Sequence, residues 1–145
     1  GLPAGEVTVN AAAAGALGVP VALVAGDAEA VAEARALLGD GVETVAVKEA
    51  RSRYSALNLH PDAAREAIRE AAARAVRRAP GLRPWLPSPP YTFQVRFLDA
   101  GMVEAALLLP GSERLDPTTV SVTHGDYVVA FKAMRALLVL ARAAL

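Results

Sequence analysis

Two kinds of apolar spacing alternate along this chain. Glu6 to Leu17 is alanine-rich and predicts a helix despite Thr8, Val9 and Gly15, and Gly18 follows where a left-handed C-terminal residue is wanted. Val19 to Ala25 (VPVALVA) is a short unbroken run, as expected of a strand covered on both faces. Gly26-Asp27 ends it, and Asp27 is a good N-cap for a helix over Ala28 to Leu38. After the turn Gly39-Asp40-Gly41, Val42 to Lys48 (VETVAVK) predicts a second strand. Two apolar strands joined by a helical crossover predict a parallel βαβ unit.

Arg51 to His60 has no clear period and reads as irregular. Pro61 opens a long helix to about Ala79, because proline at the first helical position forfeits no hydrogen bond and Asp62 suits the first turn. Its apolar stripe is Ala64, Ile68, Ala71, Ala75 and Val76, with Glu70 and Arg74 spaced for an i,i+4 pair. Residues 80–90 (PGLRPWLPSPP) hold five of the ten prolines and the single Trp. They predict an extended connector that presses Trp85 and Leu86 into a groove. Tyr91 to Phe97 (YTFQVRF) alternates like a half-exposed strand. Asp99 to Leu109 predicts a short helix stopped by Pro110-Gly111, Thr118 to Thr123 a β-branched strand, and Asp126 to the C-terminus a helix with Tyr127, Phe131, Met134, Leu138 and Ala141 on one stripe.

The predicted class is therefore α/β, with a parallel βαβ unit followed by a β-α-β-α portion. The expected organisation is a βαβ-containing portion over residues 1–79, a connector over 80–90 and a second portion over 91–145. A length of 145 residues with 54% hydrophobic and 21% charged residues supports a well-buried core. Fifteen basic and fifteen acidic residues cancel, so no global field steers the chain to nucleic acid or an anionic membrane. No apolar run is long enough to span a membrane, since Gly15, Gly18 and Pro20 cut the best candidate. The first residues lack the basic region of a signal peptide. The absence of cysteine removes disulfides and thiolate chemistry and fits a reducing, cytoplasmic compartment.

The candidate chemistry is sparse. His60 and His124 are far apart, each beside a predicted helix start, where a capping or turn role competes with metal ligation. Gly26-Asp27 and Lys48 end apolar strands, the place where open α/β sheets bind ligands; the competing readings are a cap for the next helix, which is favoured for Asp27, and an exposed strand-end lysine. Arg51 and Arg53 flank a polar loop that either binds something or clamps a neighbouring subunit. Glu6, in the first turn of a helix, meets free N–H groups and the positive end of the dipole; metal binding is the competing reading.

Motif order adds a further signal. GEVTVNAAAAGALGVPVALVAGD, VETVAVKEARSRYSALNLHP, YTFQVRF and DYVVAFKAMRALL follow one another from Gly5 to about Leu140. In this order they resemble the second half of the M55 family, zinc-dependent D-aminopeptidases of the DppA type. The resemblance implies a hydrolase that removes the N-terminal residue of short peptides of the D-Ala-D-Ala type. A pair of zinc ions there is held by Asp, Glu and His side chains, with a histidine taking part in catalysis. Glu6 matches the family's last metal-binding glutamate. Asn10, Lys48, Ser52 and Arg53 also match the pattern, as substrate-proximal, ligand-supporting or structural positions.

The family's other ligands, an Asp-x-Glu and two histidines, fall before the matched glutamate. Its catalytic histidine does too, and is expected upstream of Gly1, so that no catalytic residue is expected within the chain. The resemblance thus implies that this chain is the C-terminal part of a larger two-part α/β enzyme. It is expected to be inactive alone, to hold zinc poorly and to need the N-terminal half as its partner. It also implies a homo-oligomer, a ring decamer with internal active sites, in which the Arg51 to Asn58 loop and the proline connector make subunit contacts. The alternative is a non-enzymatic α/β module for small-ligand binding or oligomerisation, built on Gly26-Asp27 and Lys48.

Overall fold

The computed structural model describes residues 1–144. It has two compact units, divided between Leu86 and Pro87.

The first unit begins with an exposed, non-helical stretch from Gly1 to Gly5, followed by helix α1 (Glu6–Ala16). The helix closes as its glycine predicts: Gly18 adopts φ 74°, the Gly18 amide donates to the Gly15 carbonyl at 2.9 Å, and the Val19 amide reaches back to Ala14 at 2.9 Å. These two bonds are a Schellman closure. Strand β1 (Leu23–Asp27) starts four residues later than expected and runs through Gly26-Asp27. The Val19 amide is spent on the helix closure and Pro20 has no N–H to give, so pairing begins only when the Glu43 amide meets the Ala22 carbonyl at 3.0 Å. The strand is half-buried along most of its length, with Ala25 exposed; coverage on both faces is not achieved.

Helix α2 (Ala28–Leu38) follows directly, capped by the Asp27 carboxylate on the Ala30 amide at 2.8 Å. Strand β2 (Glu43–Ser52) lies parallel to β1, with Leu23 opposite Glu43 and Ala25 opposite Val45. The βαβ unit is present as expected. The segment expected to be irregular contains strand β3 (Ser55–Asn58), antiparallel to β2, so the sheet order is β1-β2-β3. Arg53 and Tyr54 form the turn without a positive φ, and the Ser52 and Ser55 hydroxyls lie 2.8 Å apart across its base. A two-residue turn usually announces itself by Gly or Asn at positive φ, and this one does not.

Helix α3 (Pro61–Arg78) matches its expectation closely, with His60 as N-cap. Its buried face is Ala71 and Ala75, whereas Val76 is 73% exposed. Arg74 does not pair with Glu70; it and Arg78 converge on Glu43 at 3.0 and 2.9 Å, across the start of β2. A carboxylate only 12% exposed holds a guanidinium better than a solvated neighbour on the same helix. The core beneath is built from small side chains, among them Val31, Ala34, Val45, Ala71 and Ala75. Small residues also let the extended connector approach α1: a Cβ on Gly15 would lie 1.9 Å from the Trp85 carbonyl oxygen. Trp85 is half-buried there, as expected, while Leu86 is exposed.

The second unit is a three-stranded antiparallel sheet with two helices. Strands β4 (Tyr91–Arg96) and β5 (Ser112–Asp116) flank the central β6 (Thr119–His124). β5 is unforeseen, because SERLD at a sheet edge has no buried alternation to reveal it. Helix α4 (Ala100–Ala106), capped by Asp99 on the Met102 amide at 3.0 Å, is shorter than predicted. Helix α5 (Tyr127–Ala141) is capped by Asp126 on the Val129 amide at 3.0 Å. The expected helix ran to the C-terminus; Leu145 lies outside the described residues. Its buried seam passes through Ala130, Met134, Leu137 and Ala141, leaving Leu138 exposed and Phe131 half-buried. Tyr127 sits edge-on to Tyr91 at 5.2 Å and to Phe93 at 5.8 Å, an aromatic joint between helix and sheet. Burial pushes the Tyr127 hydroxyl pKa up.

Candidate functional site

Glu6, Asn10, Lys48, Ser52 and Arg53 all lie in the first unit and all are exposed. Glu6 is the first residue of α1, and Asn10 follows one turn later on the same side of the helix. No hydrogen bond or ion pair among the described residues engages the Glu6 carboxylate, so its oxygens are free to bind.

The turn that carries Glu6 is held from outside the helix. Its N-cap, Gly5, has no side chain to offer the free amides. The Glu33 carboxylate from α2 supplies the missing acceptor. One oxygen accepts from the Gly5 amide at 2.9 Å, the Thr8 amide at 3.0 Å and the Thr8 hydroxyl at 2.6 Å. Burial alone would raise the Glu33 pKa. The Thr8 hydroxyl and the amides of Thr8, Gly5 and Val7 outweigh it and hold the carboxyl below its ordinary value. Glu33 has no signature in the sequence, since its partners are 25 and 28 residues away.

Lys48 stands on β2 beside Asp27 of β1 and Asn58 of β3. It helps line an open recess of about 320 Å³ with Ala28, Ala46, Leu57 and Asn58. The recess is lined mainly from β2 and β3, with Ala28 at the head of α2; because β2 continues to Ser52, Lys48 lies within the strand and does not end it as expected. Asp27 itself is occupied as the cap of α2. Ser52 and Arg53 are at the tip of the β2–β3 hairpin: the Ser52 oxygen accepts from the Tyr54 amide at 3.3 Å, and the Arg53 guanidinium lies 5.5 Å from the Tyr54 ring centre. The structure therefore places Glu6 with Asn10 on one helix and Lys48, Ser52 and Arg53 along one hairpin. No described hydrogen bond or ion pair joins the two sets.

The histidines are used in turns. His60 Nδ1 accepts from the Asp62 amide at 3.3 Å, and His124 Nδ1 accepts from the Asp126 amide at 2.9 Å. Neither stands in for the catalytic histidine expected upstream of Gly1. Among the described residues no three His, Cys, Asp or Glu side chains converge as a metal site. Glu6 thus fits a zinc ion as a single free carboxylate donor, and a complete ligand set needs groups beyond these residues. No helix among the described residues is long and apolar enough to cross a membrane.

The peptidase M55 family model, described as D-aminopeptidase, matches residues 1–136. The D-aminopeptidase of Bacillus subtilis (strain 168) is 36% identical over 133 residues, covering 91% of this chain and 48% of that protein. A solved structure described as "Zn-dependent D-aminopeptidase DppA from Bacillus subtilis, a self-compartmentalizing protease" superposes with a TM-score of 0.89. It shares 34% identity over 97% of this chain and 52% of that one. The chain spans about half the length of the relatives it matches.

Proposed function

Because this chain belongs to the peptidase M55 family of D-aminopeptidases, we propose that it contributes one zinc ligand, Glu6, to a metallo-aminopeptidase active site. The observation that carries the reading is the free Glu6 carboxylate on a helix turn fixed by Glu33. The solved relative is described as zinc-dependent, and by motif order Glu6 takes the place of the family's last metal-binding glutamate. The remaining donors, Asp, Glu and His, and the catalytic histidine come from outside these 145 residues, on the Gly1 side. Two zinc ions complete the site.

Held by Glu6 and the remaining donors, zinc would supply polarisation of the scissile carbonyl and activation of a water at neutral pH. This chain's part is to hold the backbone turn from which one carboxylate projects. A ligand that does not have to be ordered at each binding event loses less conformational freedom on coordination. Asn10, on the same face as Glu6, supports the ligand or meets the substrate. Lys48, which lines the recess, and the exposed Ser52 and Arg53 at the hairpin tip meet the substrate or a neighbouring subunit, a reading supported by their exposure and by the recess. The substrates are short peptides with a D-residue at the N-terminus, of the D-Ala-D-Ala type. The assembly is a homo-oligomeric ring, in keeping with the relative's self-compartmentalizing character. The enzyme works in the cytoplasm, and this chain alone is inactive.

The test is hydrolysis of D-Ala-D-Ala and L-Ala-L-Ala by the polypeptide that joins this chain to the remaining ligands, with and without Glu6→Ala. Turnover of the D-peptide, abolished by the substitution, is the expected outcome. Undiminished turnover in Glu6→Ala removes the assigned role.

A further inference from the structure

Helix N-termini are ordinarily capped by their own sequence, through Ser, Thr, Asp or Asn at the N-cap. Asp27, Asp99 and Asp126 do this for α2, α4 and α5. Helix α1 is the exception. Its N-cap is Gly5, and the acceptor for its free amides is imported from α2. The carboxylate lies close against Gly5: a Cβ at position 5 would lie 2.3 Å from Glu33 Oε2, so a residue with a side chain there would push the carboxylate aside. Thr8 completes the clamp by donating both its amide and its hydroxyl, and it is buried.

A local cap would satisfy the same amides. The imported one adds a tertiary tie. The Asp27 carboxylate fixes the start of α2 at the end of β1, α2 presents Glu33, and Glu33 fixes the turn that begins with Glu6. The turn that carries Glu6 is thereby tied to α2 and does not depend on the end of α1 alone, the part of a helix that otherwise frays.

We infer that Glu33, with Thr8 and Gly5, is a positioning device for the Glu6 carboxylate, acting on zinc affinity through ligand orientation and without touching the metal. The inference rests on the reading of Glu6 as a zinc ligand. A side chain outside the coordination sphere that orients a ligand is worth about 10- to 100-fold in metal affinity.

The experiment measures zinc dissociation constants by chelator competition, alongside the melting temperature of the metal-free protein. It uses the polypeptide that carries this chain and the other ligands. The variants are Glu6→Gln, Glu33→Gln, Thr8→Val, Thr8→Ser and, as a stability control at the opposite end of β2, Glu43→Gln. The expected result is weaker zinc binding, by about tenfold or more, in Glu33→Gln and Thr8→Val. Affinity should be retained in Thr8→Ser, which keeps the hydroxyl donor, and in Glu43→Gln even where its melting temperature falls as far. A loss of affinity in Glu43→Gln equal to that in Glu33→Gln would reduce the clamp to ordinary stability and overturn the inference. Weakening by Glu6→Gln with none by Glu33→Gln overturns it too, leaving Glu6 a ligand. No weakening by Glu6→Gln means the ligand reading itself fails.

Discussion

Replacing Gly15 with alanine sets two known effects against each other. Gly15 is inside α1, has no positive φ, and should on helix propensity alone be improved by alanine by about 1 kcal/mol. The added Cβ, however, would lie 1.9 Å from the Trp85 carbonyl oxygen and 2.7 Å from its carbon, where real contacts stay beyond 3.0 Å. The obstacle is backbone, so no side-chain rotation relieves it and the connector has to move. Overpacking of this kind costs about 1–3 kcal/mol, and a rigid obstacle belongs at the upper end. The net expectation for Gly15→Ala is a destabilisation of about 1–2 kcal/mol. Urea denaturation measures it, and the emission of the single Trp, half-buried at position 85, reports the displaced connector directly. Gly18→Ala is the matched control. Nothing surrounds its Cβ, and its cost of about 1–2 kcal/mol arises solely from φ 74°, with native emission unchanged. A Gly15→Ala protein that is more stable by about 1 kcal/mol with unaltered emission would refute the packing argument.

Leu137→Ala should cost about 2–5 kcal/mol, since the side chain is fully buried, whereas Leu138→Ala should stay within about 0.5 kcal/mol. Equal costs in chemical denaturation would contradict the observed seam of α5. The Glu33 carboxyl lies below its unfolded value, so its stabilisation is complete above the ordinary glutamate pKa of 4.5 and is lost as pH falls through the depressed folded value. Glu33→Gln should therefore show a shallower loss of denaturation midpoint than the parent protein below about pH 4.5, and parallel acid limbs would count against the clamp.

Local chemistry was the legible part of the sequence. Asp27 and His60 cap the helices that follow them and Gly18 closes α1, because each acts on residues within a turn or so of itself; Asp99 and Asp126, read as the first residues of their helices, are the caps of theirs. Pairing between distant segments was not legible in the same way. β3 escaped because its turn, Arg53-Tyr54, needs no glycine, and β5 because an edge strand of charged residues buries nothing periodic. Glu70 and Arg74 have the right spacing for a pair, yet Arg74 reaches Glu43, which lies 31 residues away. The candidate site divides on the same line. Glu6 is marked by motif order, whereas Glu33, which orders the turn, is invisible until α1 and α2 are placed side by side. The Leu138 stripe failed through an ambiguity of one residue, since both Leu137 and Leu138 extend the pattern from Met134.

The most direct test of the account is zinc content. The polypeptide that unites this chain with the remaining ligands, dialysed against metal-free buffer, should retain two zinc ions per chain by elemental analysis. Glu6→Ala should retain fewer, and this chain alone should retain essentially none, because a single carboxylate is a weak site. Identical zinc stoichiometry in the parent protein and in Glu6→Ala would contradict the central claim that Glu6 is this chain's ligand to the metal.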